Sequence, residues 1–173
     1  LKQHILTCLE CQTAKRVIHP NKTPIVASPI PLPFTKFNLD WHGPYVKSNG
    51  LQYVLVLMDC TSLWVELIPT ADTSADTAVT AIFDHIIARY GLPQEITILS
   101  DCAAAFTSRL TAAFCKTFGI KHLFSFPHHP TTNHRVEQFG DTLNKTLRTL
   151  CEKQTDWPKH LQAVAMAYRA TET

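Results

Sequence analysis

The sequence lacks both a long apolar run and a strong excess of one charge. Its 173 residues carry 16 Lys plus Arg and 14 Asp plus Glu, a net charge of +2. Because phosphate contacts normally require a clear basic surplus, composition alone does not indicate a nucleic-acid-binding protein. The longest apolar run, from Tyr53 to Met58, is far too short to span a bilayer, and residues 1–4 lack the basic start and apolar stretch of a signal peptide. We therefore expect no association with a membrane.

The six cysteines of the chain lack the dense, regular spacing of a disulfide framework. Cysteines so scattered, without an export signal, do not suit a disulfide scaffold and are expected to be thiols or metal ligands. Cys8 and Cys11 stand apart, because a two-residue spacer allows both thiolates to bind one tetrahedral Zn²⁺. From spacing alone, coincidence remains an equal alternative. We expect the others to be small buried or half-buried residues: Cys60, Cys102, Cys115 and Cys151.

The hydrophobic and charged content of the chain is that of one folded domain. Hydrophobic residues make up 45% of the chain and charged residues 17%, which predicts a single globular core. Residues 16–33 carry closely spaced prolines without a helical or alternating period, so they are predicted to form an extended linker. The folded domain is expected to cover residues 34–173, with residues 1–15 as a separate segment.

Hydrophobic periodicity predicts both strands and helices. The predicted strands are Phe37–Trp41, Leu51–Asp59, Trp64–Pro69, Ile96–Ser100 and Lys121–Ser125. The first predicted helix starts at Thr73 or Ser74 and is stopped by Gly91, and the second runs from Ser108 to Phe118 and is ended by Gly119. The third runs from Val136 to Leu150, and Asp156 with Pro158 caps a last helix that carries Leu161, Val164, Ala165 and Tyr168. Turn residues between the first three strands favour an antiparallel meander. The order predicts an α/β domain with a mixed five-stranded sheet flanked by helices.

Three acidic residues lie where such a fold would bring them together. Asp40 is predicted on a central strand, Asp101 at the carboxyl end of the neighbouring strand, and Glu137 on the first turn of a helix that crosses the same edge. Carboxylate oxygens suit a pair of Mg²⁺ ions that also bind phosphate oxygens and water. The pattern therefore predicts two-metal phosphoryl transfer on nucleic acid. Asp59 is a competing acid, but its place before residues 61–62 favours hydrogen bonds to that turn.

The three acids and the phrases around them resemble the catalytic core of retroviral and retrotransposon integrases. Thirty-five residues separate Asp101 from Glu137, as in the D, D(35)E pattern of that family. The matching phrases are similar to those of the gypsy-type LTR-retrotransposon branch. They are Asp40–Pro44, Tyr53–Asp59, Trp64–Pro69, Ile87–Pro93, Phe106–Ser108, Gly119–His122 and His129–Asn133. These ordered matches extend over nearly the whole chain and are much more specific than an acid triplet alone.

The resemblance implies a ribonuclease H-like fold and a DDE-type polynucleotidyl transferase and endonuclease. Asp40, Asp101 and Glu137 would be the catalytic residues and would hold Mg²⁺ or Mn²⁺, for 3′-end processing of element DNA and strand transfer into target DNA. The implied partners are DNA and further copies of the chain, with no small-molecule substrate. The family also implies release from a polyprotein and action in the nucleus, reached through a cytoplasmic virus-like particle or preintegration complex.

The family resemblance also gives Cys8 and Cys11 a specific role. Integrases of this family carry a His-His-Cys-Cys zinc module whose cysteine pair comes last, so residues 1–15 would be the C-terminal end of that module. His4 and His19 do not lie at the module's histidine positions. Two thiolates leave half of a tetrahedral site to water. We therefore expect Zn²⁺ to bind only in a longer parent chain.

Several polar residues near Glu137 are candidates for contact with DNA. The predicted nucleic-acid-binding residues are Asn133, Arg135, Lys145 and Arg148. For Lys145 and Arg148, a solvated helix face is an equal alternative. His128, His129 and His134 are expected to face solvent or phosphate rather than Zn²⁺, because their loop setting and the oxygen ligands nearby do not favour zinc. His42, on the same strand face as Asp40, is predicted to be a structural histidine with satisfied hydrogen bonds; donation within the acidic site is the alternative.

Departures from the family pattern leave the activity of this copy open. Ala103 replaces a usual glycine that is expected to give the backbone freedom, and Gln138 replaces a usual arginine. Gly140, Asp141 and Asn144 replace other polar or cationic residues of the helix surface. Each lost phosphate contact weakens DNA binding. The alternative to an active integrase is therefore a decayed or co-opted domain that folds and binds nucleic acid or partners without catalysis; a ribonuclease H-type nuclease fits the matched phrases less well.

Overall fold

One mixed sheet of five strands organises the domain. The computed structural model describes residues 31–92, 95–125 and 134–171. The strands are β1 (Lys36–His42), β2 (Tyr53–Asp59), β3 (Val65–Thr70), β4 (Ile96–Ser100) and β5 (Ile120–Phe124). Their order in the sheet is β3-β2-β1-β4-β5, with β1–β2 and β2–β3 antiparallel and β1–β4 and β4–β5 parallel. The predicted fold class, a mixed five-stranded sheet flanked by helices, is confirmed.

Helices cover the sheet, and two of them differ from the sequence prediction. They are α1 (Ala75–Ile82), a π-helical turn (Phe83–Ile87), α2 (Ala88–Tyr90), α3 (Ala104–Thr107), α4 (Arg109–Thr117), α5 (His134–Leu150), a 3₁₀ turn (Gln154–Asp156) and α6 (Trp157–Ala170). Ser74, one of the two predicted start residues, caps α1 by accepting the N–H of Thr77 at 3.2 Å. The π-helical turn and the short helix α3 were not predicted.

Side chains along the strands point alternately into two apolar layers. On β1, Phe37 and Leu39 point into the layer that α1, α3 and α4 cover. The layer beneath α5 and α6 contains Val54, Val56 and Met58 of β2. Because side chains alternate along a strand, the polar residues 38, 40 and 42 of β1 lie on this second face. Helix α5 packs against β1 here, so the fold holds a polar strip of β1 beneath a long helix.

Exposure corrects two predictions from the apolar pattern. Leu150 was assigned to the buried stripe of α5, but it is 41% exposed, and the buried stripe ends at Leu147. Cys102 was expected to be buried or half-buried and is exposed, whereas Cys60, Cys115 and Cys151 agree with the expectation. Within the described ranges, no helix combines the length and the apolar character needed to cross a lipid bilayer.

Candidate active site

Asp40 and Asp101 occupy adjacent positions on neighbouring parallel strands. The last register pair of β1 and β4 joins Leu39 to Ser100, so the next residue on each strand is one of the two acids. The side chain of Asp40 is 19% exposed, and Asp101 is exposed directly after β4. The carboxyl ends of parallel strands are a common location for ligand binding. The structure therefore brings two of the three predicted acids to one edge of the sheet.

The third predicted acid, Glu137, belongs to α5, but its side chain lies outside the described part of the chain. The backbone of α5 can still be located relative to β1. An ideal Cβ built on Gly140 would lie 2.1 Å from Cε1 of His42, so the helix passes directly over that ring. Residues three apart share a helix face. The backbone of position 137 lies just under one helical turn before this contact.

Hydrogen bonds hold the turn that follows β4. Oδ1 of Asp101 accepts the backbone N–H of Ala103 at 3.1 Å. Ala103 itself has φ −57° and ψ 147°, a conformation open to any L-residue, and it packs against the apolar core. The effect of a glycine at position 103 on loop freedom and turnover stays a prediction. Alanine fits this turn without strain.

Ser100 and His122 reinforce the end of β4 from the neighbouring strand. The buried Ser100 hydroxyl donates to the carbonyl of Asp101 at 2.8 Å and lies 2.9 Å from Nε2 of His122. Since a hydroxyl has a single hydrogen, the imidazole Nε2–H must donate to Ser100. The N–H of Ser125 donates to the carbonyl of Ser100 at 2.8 Å. Sequence reasoning missed this pair, because no local pattern links residues on different strands.

The half-buried imidazole of His122 predicts a pH-dependent stability. Burial lowers the pKa of His122 below its ordinary value of 6.5, so the unfolded chain binds a proton more readily than the folded one. This contribution to stability is complete above pH 6.5 and is lost as pH falls below it. We expect His122→Gln, which keeps an N–H donor but does not titrate, to lose less stability between pH 7 and pH 5.

Urea unfolding of both proteins across that pH range measures the difference. The free energy of unfolding should depend less steeply on pH in His122→Gln than in the natural chain. Some dependence should remain, because burial also lowers the pKa values of His42 and His85. Identical slopes for the variant and the natural chain would show that His122 does not contribute.

His42 lies against Asp40 without a hydrogen bond to it. Its Nε2 is 3.3 Å from Oδ2 of Asp40, and among the described residues this buried nitrogen has no hydrogen-bond partner. Burial is the stronger influence and lowers the pKa of His42, while the negative charge of Asp141 opposes that effect. The prediction of satisfied hydrogen bonds is therefore wrong for Nε2 of His42. The ring is part of the acidic edge.

Asp59 is a structural acid, as its sequence context predicts. It is fully buried, and Oδ2 accepts the backbone N–H groups of Thr61 at 3.2 Å and Ser62 at 2.6 Å. The Ser62 hydroxyl donates to the same oxygen at 2.7 Å. Oδ1 accepts the N–H of Phe34 at 2.8 Å. This carboxylate therefore ties the start of the domain to the turn after β2.

The predicted nucleic-acid-binding residues have different outcomes. Arg135, Lys145 and Arg148 are exposed on α5, and Arg148 also lines a groove of about 430 Å³ between α5, the start of α6 and the segment after β1. The remaining predictions lie outside the described residues: Asn133, Cys8 and Cys11, the histidines 128 and 129, and the side chain of His134.

The described side chains supply two of the carboxylates that a cation site would need. No group of three or more His, Cys, Asp or Glu side chains within the described portion is arranged to hold a metal ion. Asp40 and Asp101 nevertheless supply carboxylates at one edge of the sheet, and carboxylate oxygens are the ligands that Mg²⁺ and Mn²⁺ prefer. The donor set that is described therefore fits a hard divalent cation, with position 137 on the adjoining helix.

Comparison with known proteins gives a consistent result. Residues 32–130 match the family model described as "Integrase core domain". The Pro-Pol polyprotein of Simian foamy virus type 3 (strain LK3) is 35% identical over 78% of this chain and 12% of its own length. Gypsy retrotransposon integrase-like protein 1 of Bos taurus is 30% identical over 99% of the chain and 34% of its own length. The chain thus spans about a third or less of these curated relatives.

A solved structure supports the same architecture. The crystal structure of the catalytic core domain of BIV integrase superposes with a TM-score of 0.60 at 20% sequence identity, over 80% of this chain and 86% of that one. At this level of identity the likeness concerns the fold alone. The fold is therefore that of a retroviral integrase catalytic core, and the resemblance drawn from the sequence phrases is confirmed.

Proposed function

This chain belongs to the integrase core domain family, and we propose that it is the catalytic core of a retroelement integrase. The proposed activity is that of a DDE-type polynucleotidyl transferase acting on DNA. The observation that carries the proposal is the register of the parallel pair β1–β4, in which the next residues after Leu39 and Ser100 are Asp40 and Asp101. Two carboxylates at adjacent positions repel each other unless a cation or proton lies between them.

In the proposed site, Asp40, Asp101 and Glu137 would together hold two Mg²⁺ or Mn²⁺ ions. When bound, such ions would stabilise negative charge on phosphate oxygens and lower the pKa of an attacking water or hydroxyl. The chain's own contribution is to hold the carboxylates ready. The hydrogen bond from the N–H of Ala103 orients Asp101, so less reorganisation is needed when substrate arrives.

The proposed reaction has two chemically similar steps. Water first attacks a phosphodiester near each 3′ end of the element DNA and displaces the 3′-oxygen, which leaves as a hydroxyl. That 3′-hydroxyl then attacks a phosphodiester of the target DNA, breaks the target strand and displaces its 3′-oxygen as a hydroxyl. Neither step requires a covalent intermediate with the protein. Arg135, Lys145 and Arg148, all exposed on α5, would contact phosphates together with Asn133. Self-association, zinc binding through Cys8 and Cys11 in a longer chain, and action in the nucleus remain part of the proposal.

A cleavage and joining assay tests the proposed function. The chain is incubated with supercoiled plasmid and a labelled duplex oligonucleotide, in Mg²⁺, in Mn²⁺ and in EDTA. We expect nicked plasmid and labelled joint products with either cation and none in EDTA. A folded chain, verified by circular dichroism, that gives no product with either cation would favour the decayed or co-opted alternative. The acidic Asp141, exposed on α5 where the family carries a cationic residue, would then be the first residue to test for the loss of DNA contact.

Gln138→Arg is expected to strengthen DNA binding. Gln138 is exposed beside Glu137 on α5, and an arginine there would add one phosphate contact. The slope of log binding constant against log salt concentration should steepen by about one. Fluorescence anisotropy with a labelled duplex at several salt concentrations measures both the affinity and the slope.

Thr149→Arg is the matched control for this variant. It adds the same charge to an exposed position near the other end of α5. Equal gains from both variants would show a general effect of net charge rather than a contact beside the proposed site. No gain from Gln138→Arg would mean that DNA does not approach this part of the helix.

A further inference from the structure

We propose that His42 is a positioning residue, whose ring sets the spacing between α5 and the acidic edge of β1. The inference rests on the proposed function, because the spacing matters only if Asp40 and Glu137 act together. The ring lies between two neighbours. On one side Nε2 is 3.3 Å from Oδ2 of Asp40, and on the other the backbone of Gly140 lies directly against the imidazole.

The contact with Gly140 leaves no room for a side chain. A Cβ at position 140 would lie 2.1 Å from Cε1 of His42 and 2.9 Å from each ring nitrogen. Real atoms do not approach so closely, and the ring is only 14% exposed, so it has little space to move. Glycine in the middle of a helix is less favourable than alanine. The close packing of the helix on the imidazole explains its presence here.

A second contact shows the direction in which α5 runs over the strand. The hydroxyl of Tyr45 donates to Oδ1 of Asn144 at 2.7 Å. Position 144 of the helix thus lies beside position 45, and position 140 lies beside position 42. Residue numbers rise together along α5 and along β1 with the segment that follows it, so the helix and this part of the chain run in the same direction. Three residues of helix span about 4.5 Å, and two residues of strand span about 6.6 Å.

The same direction leads from Gly140 back to position 137 and from His42 back to Asp40. The backbone position of Glu137 therefore lies beside Asp40. At the contact between His42 and Gly140, the imidazole ring separates α5 from β1. A smaller side chain at position 42 would let α5 settle or tilt toward the sheet. A side chain at position 140 would push the helix away.

A double-mutant cycle tests the steric part of this proposal. The variants are His42→Ala, Gly140→Ala and the double variant, each compared with Thr142→Ala, an exposed control on the same helix. Alanine normally stabilises a helix relative to glycine. We expect Gly140→Ala to lower the melting temperature by several degrees when His42 is present, and to raise it when residue 42 is alanine. This reversal of sign is the signature of the predicted contact.

Cation binding and kinetics test the positioning part. Isothermal titration with Mn²⁺ should show at least about fivefold weaker binding in His42→Ala. The reason is that a loosened α5 would no longer hold position 137 close to Asp40. For Mn²⁺-dependent DNA cleavage, kcat should fall at least about tenfold while KM for DNA changes less than twofold. The double variant should recover several-fold of the lost kcat, since the methyl group at position 140 partly fills the space.

Three results would overturn the proposal. Stabilisation by Gly140→Ala whatever the residue at position 42 would show that the two do not meet. Sign reversal in the melting temperature, with Mn²⁺ affinity and kcat unchanged in His42→Ala, would reduce the pair to packing. A folded natural chain that neither binds Mn²⁺ nor cleaves DNA would overturn the proposed function, and the positioning role with it. In the first two results the natural chain is still active, which distinguishes them from the third.

Discussion

Asp40→Asn and Asp101→Asn are each expected to lower cation-dependent DNA cleavage and joining by about 10³-fold, while the domain remains folded. Loss of one carboxylate ligand removes several kcal/mol of transition-state stabilisation, and each 1.4 kcal/mol is a factor of ten in rate. The fold should be retained, because removal of one of two neighbouring negative charges relieves repulsion. In Asp101→Asn, the amide oxygen can still accept the N–H of Ala103.

The rate of product formation under single-turnover conditions measures the loss of activity. Urea unfolding of the same protein preparation measures the change in stability. Glu137→Gln extends the test to the third acid. Asp84→Asn, at an exposed acid on the π-helical turn, is the control and should be fully active. If Asp101→Asn lost more than about 2 kcal/mol of stability, a magnitude typical of a buried structural group, Asp101 would be structural rather than catalytic.

Asp59→Ala is expected to have the opposite profile, with a large loss of stability and normal activity per folded molecule. The substitution leaves the backbone N–H groups of Phe34, Thr61 and Ser62 without their acceptor. Each unsatisfied buried donor costs about 1–3 kcal/mol, but part of this turn can rehydrate. We therefore expect a decrease of about 3 kcal/mol in the free energy of unfolding.

Urea titration with a correction of activity for the folded fraction checks this expectation. Asp59→Asn is the matched variant, because its amide oxygen can still replace one of the two acceptor oxygens. It should therefore lower the free energy of unfolding less than Asp59→Ala does. Intact stability with abolished cleavage in Asp59→Ala would instead assign Asp59 to the reactive site. The pair of experiments thus separates acids that act on substrate from an acid that holds a turn.

Local patterns predicted most of the elements because the forces that form them act over a few residues. The alternation along β1 and the apolar run of β2 are enough to define strands, and Ser74 supplies a capping oxygen within one turn of helix. The π-helical turn Phe83–Ile87 was missed because it differs from an α-helix only in backbone hydrogen bonding. The φ and ψ of Ala103 could not be predicted from its residue type, because they depend on the loop around it.

The sequence by itself determined the strand and helix order, the family and the identity of the candidate acids, because these depend on periodicity and on motifs read along the chain. Only the tertiary structure decided which polar residues meet. Glu66 lies 3.1 Å from Arg169 Nη2 and accepts the indole N–H of Trp64 at 2.8 Å.

His42 meets Gly140, and Ser100 meets His122, in the same way. Such contacts join residues that are far apart in the chain. Their energies depend on distance, burial and the atoms left without partners, and these quantities exist only once the chain is folded.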